Sequence, residues 1–94
     1  MAKTVKVSNG QIEEYENGSR TRTYGSNIKQ AAISGDTVVA VNKNGQIEEY
    51  ENGSRRRTYG SNIVSVQISG DTVAAENSQG RTEEYVNGSR RRTY

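Results

Sequence analysis

No cysteine, histidine, proline, tryptophan, phenylalanine or leucine occurs among the 94 residues. Without cysteine or histidine there is no thiol nucleophile, no disulfide, no zinc knuckle and no imidazole base, which removes most familiar metal and triad chemistry. No apolar run approaches the ~18 residues of a membrane span. The opening Met-Ala-Lys-Thr is not that of a signal peptide, so the sequence predicts a chain that stays in the cytoplasm of the cell expressing it. Large apolar side chains are also scarce. Six isoleucines and nine valines are the whole aliphatic set apart from six alanines and one methionine, a share below the ~20% at which composition begins to read as disorder. Disorder would also want a high net charge, and 13 basic against 11 acidic residues leave only +2. At ~25 cal/mol per Å² of buried apolar surface, so few large side chains barely offset ~1–2 kcal/mol of backbone entropy per ordered residue. One domain of this length is predicted to be marginal alone and to need partners.

What the chain does have is a repeat. Asn9–Arg20 recurs unchanged at Asn44–Arg55 and with substitutions at Gln79–Arg90. Tyr15, Tyr50 and Tyr85 stand 35 residues apart, as do Tyr24, Tyr59 and Tyr94, and Gly18, Gly53 and Gly88. A period of this size signals a solenoid, a propeller or an array, in which one unit cannot bury its own face. The single domain, residues 1–94, divides into copies at about 1–24, 25–59 and 60–94.

The punctuation within one period predicts four short strands, at about 63–69, 72–77, 81–86 and 89–94 in the last copy. The breaks are Gly70-Asp71, Gln79-Gly80 and Asn87-Gly88. Asn-Gly between alternating segments is a strong signal of a two-residue type I′ hairpin. No segment carries a 3.6-residue apolar stripe. The reading is an all-β antiparallel meander, with three strands in the first copy, which lacks a first strand, and four in each of the others.

The Asn52-Gly53 turn predicts a register in which Tyr50 faces Arg55, Glu49 faces Arg56, Glu48 faces Arg57 and Ile47 faces Thr58. The third copy then pairs Glu84 with Arg91 and Glu83 with Arg92. The first keeps Glu13 opposite Arg22, with Thr21 opposite Glu14. Each such pair contributes roughly 0.2–1 kcal/mol. The first strand of the chain breaks the pattern. Aligning Asn9-Gly10 with Asn44-Gly45 sets Val5 and Val7 against Ala40 and Asn42, and Lys6 against Val41, so its apolar phase is inverted. Either that strand is rewritten as a cap or it pairs differently.

Four antiparallel strands joined by tight turns and repeated in tandem resemble β-propeller blades. The resemblance implies an apolar first strand (Val64, Val66, Ile68) and a mixed second strand (Val73, Ala75) near the axis, with the charged third and fourth strands at the rim. Glu83-Glu84-Tyr85 falls where WD40-type blades end their third strand, although the WD dipeptide and the Gly-His pair are absent. Residues Asn9–Asn27 and Asn44–Asn62 agree at 18 of 19 positions. In this the chain resembles artificial, computationally designed symmetric propellers of the Pizza and Cake kind. Propellers close with ~4–8 blades, sometimes more. Closure is therefore expected through head-to-tail association of identical chains, with a homotrimer favoured and a homodimer next.

Candidate chemistry is sparse. Arg20, Arg22, Arg55, Arg57, Arg90 and Arg92 are candidate polyanion contacts, although facing glutamates neutralise much of that charge, and nucleic acid is not an expected partner. Tyr15, Tyr50 and Tyr85 are a candidate ligand shelf of the lectin kind, set against a role in packing. Adjacent glutamates such as Glu48 and Glu49 point to opposite faces of a strand and cannot share a catalytic site. Asp36 and Asp71 sit in Gly-Asp turns with too few oxygen donors for calcium. The Asn-Gly-Ser sequons at Asn17, Asn52 and Asn87 are explained by hairpin turns. No catalytic residue, cofactor or metal is expected. The expected role is a self-assembling repeat scaffold, with a lectin-like or polyanion-binding module as the alternative.

Overall fold

The computed structural model describes residues 3–94 and contains eleven strands and no helix. The strands are β1 (Lys3–Ser8), β2 (Gln11–Glu16), β3 (Ser19–Tyr24), β4 (Ile28–Ser34), β5 (Thr37–Asn42), β6 (Ile47–Glu51), β7 (Ser54–Tyr59), β8 (Ile63–Ser69), β9 (Thr72–Asn77), β10 (Thr82–Val86) and β11 (Ser89–Thr93). They form three antiparallel sheets, one per sequence copy: β1-β2-β3, β4-β5-β6-β7 and β8-β9-β10-β11. The predicted punctuation holds. Asn17, Asn52 and Asn87 each have φ of 53°, followed by glycines at 81–84°, as a type I′ turn requires. Gly35 and Gly70, at φ 61°, open two further two-residue turns, where only the first position is left-handed, a type II′ pattern.

The register is correct at the turn and then shifts. Tyr50 faces Arg55 as predicted, but a bulge between Glu49 and Tyr50 sets Glu49 against Arg57, Glu48 against Thr58 and Ile47 against Tyr59. The same bulge pairs Glu84 with Arg92 and Glu14 with Arg22. The predicted Glu49–Arg56, Glu48–Arg57, Glu84–Arg91, Glu83–Arg92 and Glu13–Arg22 pairs are therefore replaced. An extra residue on one strand turns the following side chains by half a pleat. Arg57 and Tyr59 thereby join the face that carries Glu49. Thr21 stands at the bulged position, where no facing glutamate requires an arginine.

The inverted phase of β1 is resolved by its turn. Asn9-Gly10 is a two-residue loop (Ser8 faces Gln11, Val7 faces Ile12), whereas β5 and β6 are joined by a longer loop that sets Val41 against Ile47. Shortening the connection by one residue slips β1 by one, and a one-residue slip exchanges the faces of a strand. Val5 and Val7 consequently occupy the places that Val39 and Val41 occupy in the second sheet.

The core lies between the sheets. Ile12 of the first sheet packs with Ile28, Val38, Ala40 and Tyr50 of the second, joined by Val5, Val7 and Tyr24. Val39, Val41 and Ile47 on the other face of the second sheet pack with Ile63, Val66, Val73, Ala75 and Tyr85 of the third. The middle sheet is thus buried on both faces, which accounts for the unbroken apolar run Val38-Val39-Ala40-Val41. Val64, expected near the axis, is instead 41% exposed, because a bulge between Ile63 and Ser65 displaces it from the inward phase kept by Ile63, Val66 and Ile68. Ile47 and Thr82 hold equivalent positions, yet Ile47 is fully buried and Thr82 lies on an open face. Ile47→Ala is expected to cost about 2–5 kcal/mol and Thr82→Ala to stay within ~0.5 kcal/mol. Urea-unfolding midpoints of the two variants check this; equal shifts would refute the one-sided burial of the third sheet.

Candidate assembly and binding surfaces

Each interface is built around two glutamates from neighbouring sheets. On the forward face of a sheet the bulge brings an arginine and a tyrosine to one carboxylate. Glu49 accepts from Arg57 at 2.9 Å and from the Tyr59 hydroxyl. Glu14 is held likewise by Arg22 and Tyr24, and Glu84 by Arg92 at 3.1 Å and Tyr94 at 2.6 Å. On the rear face the tyrosine two residues along the strand donates to the other glutamate: Tyr50 to Glu48 and Tyr85 to Glu83, both at 2.5 Å, and Tyr15 to Glu13 at 2.9 Å. Asn42 and Asn77 each add an amide donor, at 2.8 and 2.9 Å. The same asparagines accept loop amides through their side-chain oxygens, Asn44 and Gln46 in one case and Gln79 and Arg81 in the other.

The tyrosines of the two faces meet. Tyr24 lies against Tyr50 and Tyr59 against Tyr85, with ring centroids 4.8 Å apart in both pairs and interplanar angles of 46° and 47°. The two interfaces therefore repeat one packing arrangement. Gln30 adds a link that the sequence did not signal. Its side-chain amide donates to the Val66 carbonyl at 3.0 Å and accepts from the Val66 amide at 2.7 Å, acting as a strand partner between β4 and β8.

Burial first, and then the bond to a glutamate, raise the pKa values of the interface tyrosines: Tyr85 is pushed up to about 12, and Tyr24, Tyr50 and Tyr59 go higher still. For Glu83, burial pushes the carboxyl up, but the hydroxyl of Tyr85, the amide of Asn77 and the charge of Arg90 together outweigh it and leave the group below its ordinary value.

These contacts locate the sequence candidates. Arg22, Arg57 and Arg92 lie on forward faces, bonded to Glu14, Glu49 and Glu84. Arg20 and Arg55 stand on rear faces, 3.4 and 3.9 Å from Glu13 and Glu48, and Arg90 lies near Glu83. Tyr50 and Tyr85 are 5% exposed and belong to the inter-sheet core, so they offer no ring to solvent as a shelf would; Tyr15 is half-buried on the rear face of the first sheet. Asp36 is bonded to Lys3 at 2.6 Å, which ties β1 to the β4–β5 turn. Among the described residues no cluster of three or more acidic side chains is placed to hold a metal ion.

The two outer faces differ from the inner ones in a systematic way. On the third sheet Ser65, Gln67, Ala74, Glu76 and Thr82 line an open groove. They stand where the second sheet has Gln30, Ala32, Val39, Val41 and Ile47. On the rear face of the first sheet the slipped register puts Thr4 opposite Tyr15 and Lys6 opposite Glu13, where the second sheet has Val38 and Ala40. Both faces nevertheless keep their tyrosine, glutamate and arginine.

Well below pH 10 the interface tyrosines are neutral whether the chain is folded or unfolded. As pH rises from about 10, the unfolded chain gives up these protons while the folded chain holds them. Stability should therefore be level from pH 7 to 9 and fall as pH rises towards and through 12. Urea midpoints across this range test it, and in a Tyr50→Phe/Tyr85→Phe variant the alkaline fall should be shallower. Equal falls in both proteins would refute the assignment.

The family model described as Helicobacter pylori IceA2 protein matches residues 1–48 and again residues 41–94. Comparison with curated proteins gives no match.

Proposed function

The chain belongs to the IceA2 family, and from that premise we propose that it is a non-enzymatic repeat scaffold, a sector of a β-propeller-like wheel that closes by self-association. The observation that carries this reading is the equivalence of the two interfaces. The same residue positions, and tyrosine pairs differing by 1° in tilt, join the first sheet to the second and the second to the third. One packing step applied repeatedly turns blades about an axis, and such a rotation gives a ring when it closes. The near-identity of the first two copies supports a unit duplicated whole, within the family or by deliberate symmetrisation, and either origin gives the same object.

An enzymatic role has little behind it. The ionisable side chains nearest to burial are repeated from sheet to sheet and already bonded to one another, so no single unrepeated constellation is left to act on a substrate. Polyanion binding is likewise weakly supported, since Arg22, Arg57 and Arg92 are engaged by carboxylates.

Native mass spectrometry at micromolar concentration is expected to find multiples of 10.4 kDa, a trimer of nine blades before a dimer of six. A single 10.4 kDa species at every concentration would overturn the self-associating reading.

A further inference from the structure

We infer that the rear face of the first sheet and the forward face of the third are a matched pair, forming a polar head-to-tail join between copies of this chain with Lys6 of one copy against Glu76 of the next. This rests on the self-associating reading above and specifies which faces meet.

The inference starts from positions. At the internal interface Val41 of the second sheet and Ala75 of the third belong to one apolar cluster. Glu76 holds the place of Val41 on the open face of the third sheet, and Lys6 holds the place of Ala75 on the open face of the first. Stacking the third sheet of one copy on the first sheet of another, by the step already used twice within the chain, brings these opposite charges into the same cluster of side chains. Both are exposed, and Lys6 Nζ lies 5.6 Å from the centre of the Tyr15 ring, on the face that would receive the partner.

The remaining substitutions agree. Val39 and Val73, which belong to the same internal cluster, become Ala74 and Thr4, which are small enough not to obstruct the approach. The tyrosine pair is kept, Tyr94 from one side and Tyr15 from the other, each already bonded to its own glutamate as the internal pairs are. Gln67 and Ser65 are polar on the part of the third sheet that, in the internal interface, is covered by a first strand. The described first sheet has no such strand beside β1.

Simple caps at both ends would need only polarity. Opposite charges at positions that would meet, beside a retained tyrosine pair, are what a join requires. With an apolar floor inside the chain and a charged one between chains, the internal interfaces are permanent, whereas the join is reversible and sensitive to salt.

Charge exchange tests this. Wild type, Lys6→Glu, Glu76→Lys and the double exchange are compared by native mass spectrometry and by light scattering at 50 and 500 mM NaCl, with circular dichroism confirming that each folds. The wild type should assemble, and its dissociation constant should rise about tenfold or more at the higher salt. Each single exchange should weaken assembly about tenfold or more by setting like charges together. The double exchange should restore it. An equimolar mixture of the two single variants should assemble only into even-numbered, alternating species, because an odd ring forces one like-charged join. Assembly of the wild type that neither single exchange weakens would overturn this join while leaving self-association standing. A wild type that is monomeric throughout would overturn both, making the end faces caps.

Discussion

A tyrosine hydroxyl donating to a glutamate at or near the sheet-to-sheet interface is the contact around which this molecule is arranged. The chain has no leucine or phenylalanine with which to fill the space between two sheets. Tyrosine supplies the missing bulk, but its hydroxyl must find a partner when buried. The partner is a carboxylate, itself costly to bury, so a second donor is needed. On one face that donor is the arginine delivered by the bulge, and on the other it is the asparagine that also organises the β5–β6 or β9–β10 loop. Turn, bulge and core are thus parts of one requirement. The requirement recurs at each interface, which explains why Glu-Glu-Tyr and the asparagine turns are the least varied parts of the repeat.

Much of the fold was legible because hairpin signals are local. The positive φ of an Asn-Gly turn depends on two residues, and the strand limits at Ile63–Ser69 and Thr72–Asn77 follow from their flanking turns. The bulge was not legible, since Ser-Arg-Arg-Arg-Thr gives no sign of which arginine steps out of the ladder. Only the burial of Tyr59 beside Glu49 decides it. The slip of β1 was visible as a contradiction in the apolar phase, but its resolution required knowing that Asn9-Gly10 forms the whole loop. Glutamate pairs on opposite faces were read correctly from alternation. The tyrosines' double duty as packing and donor was half read, because bulk is evident in a sequence and the direction of a hydroxyl is not.

The positions that change between copies carry more information than those that stay. At three equivalent positions the side chain is apolar where another sheet covers it and polar where none does: Val41 against Glu76, Ile47 against Thr82, Ala32 against Gln67. The same rule selects Thr4 and Lys6 for the rear of the first sheet, by way of a register change rather than by substitution alone. On the proposed join, stability and contact between copies would be separated. Burial of aliphatic side chains holds three sheets together, and charge distinguishes the two ends from each other.

The arginine runs fit this scheme as protection of edges. β3, β7 and β11 are edge strands of their sheets and leave backbone groups unpaired along one side. A long exposed edge invites pairing with another chain, and charged side chains are the usual defence. Arg55, Arg56 and Arg57 on β7 are held in ion pairs with Glu48, Glu51 and Glu49, and Arg92 on β11 with Glu84, so these strands present charged, solvated side chains that a pairing chain would have to desolvate. On the edge strand β1, Lys6 is an exposed charge, while Lys3 is held by Asp36. With edge-to-edge pairing disfavoured on both sides, stacking through the faces is the contact left open, which is also the contact the chain already makes twice within itself.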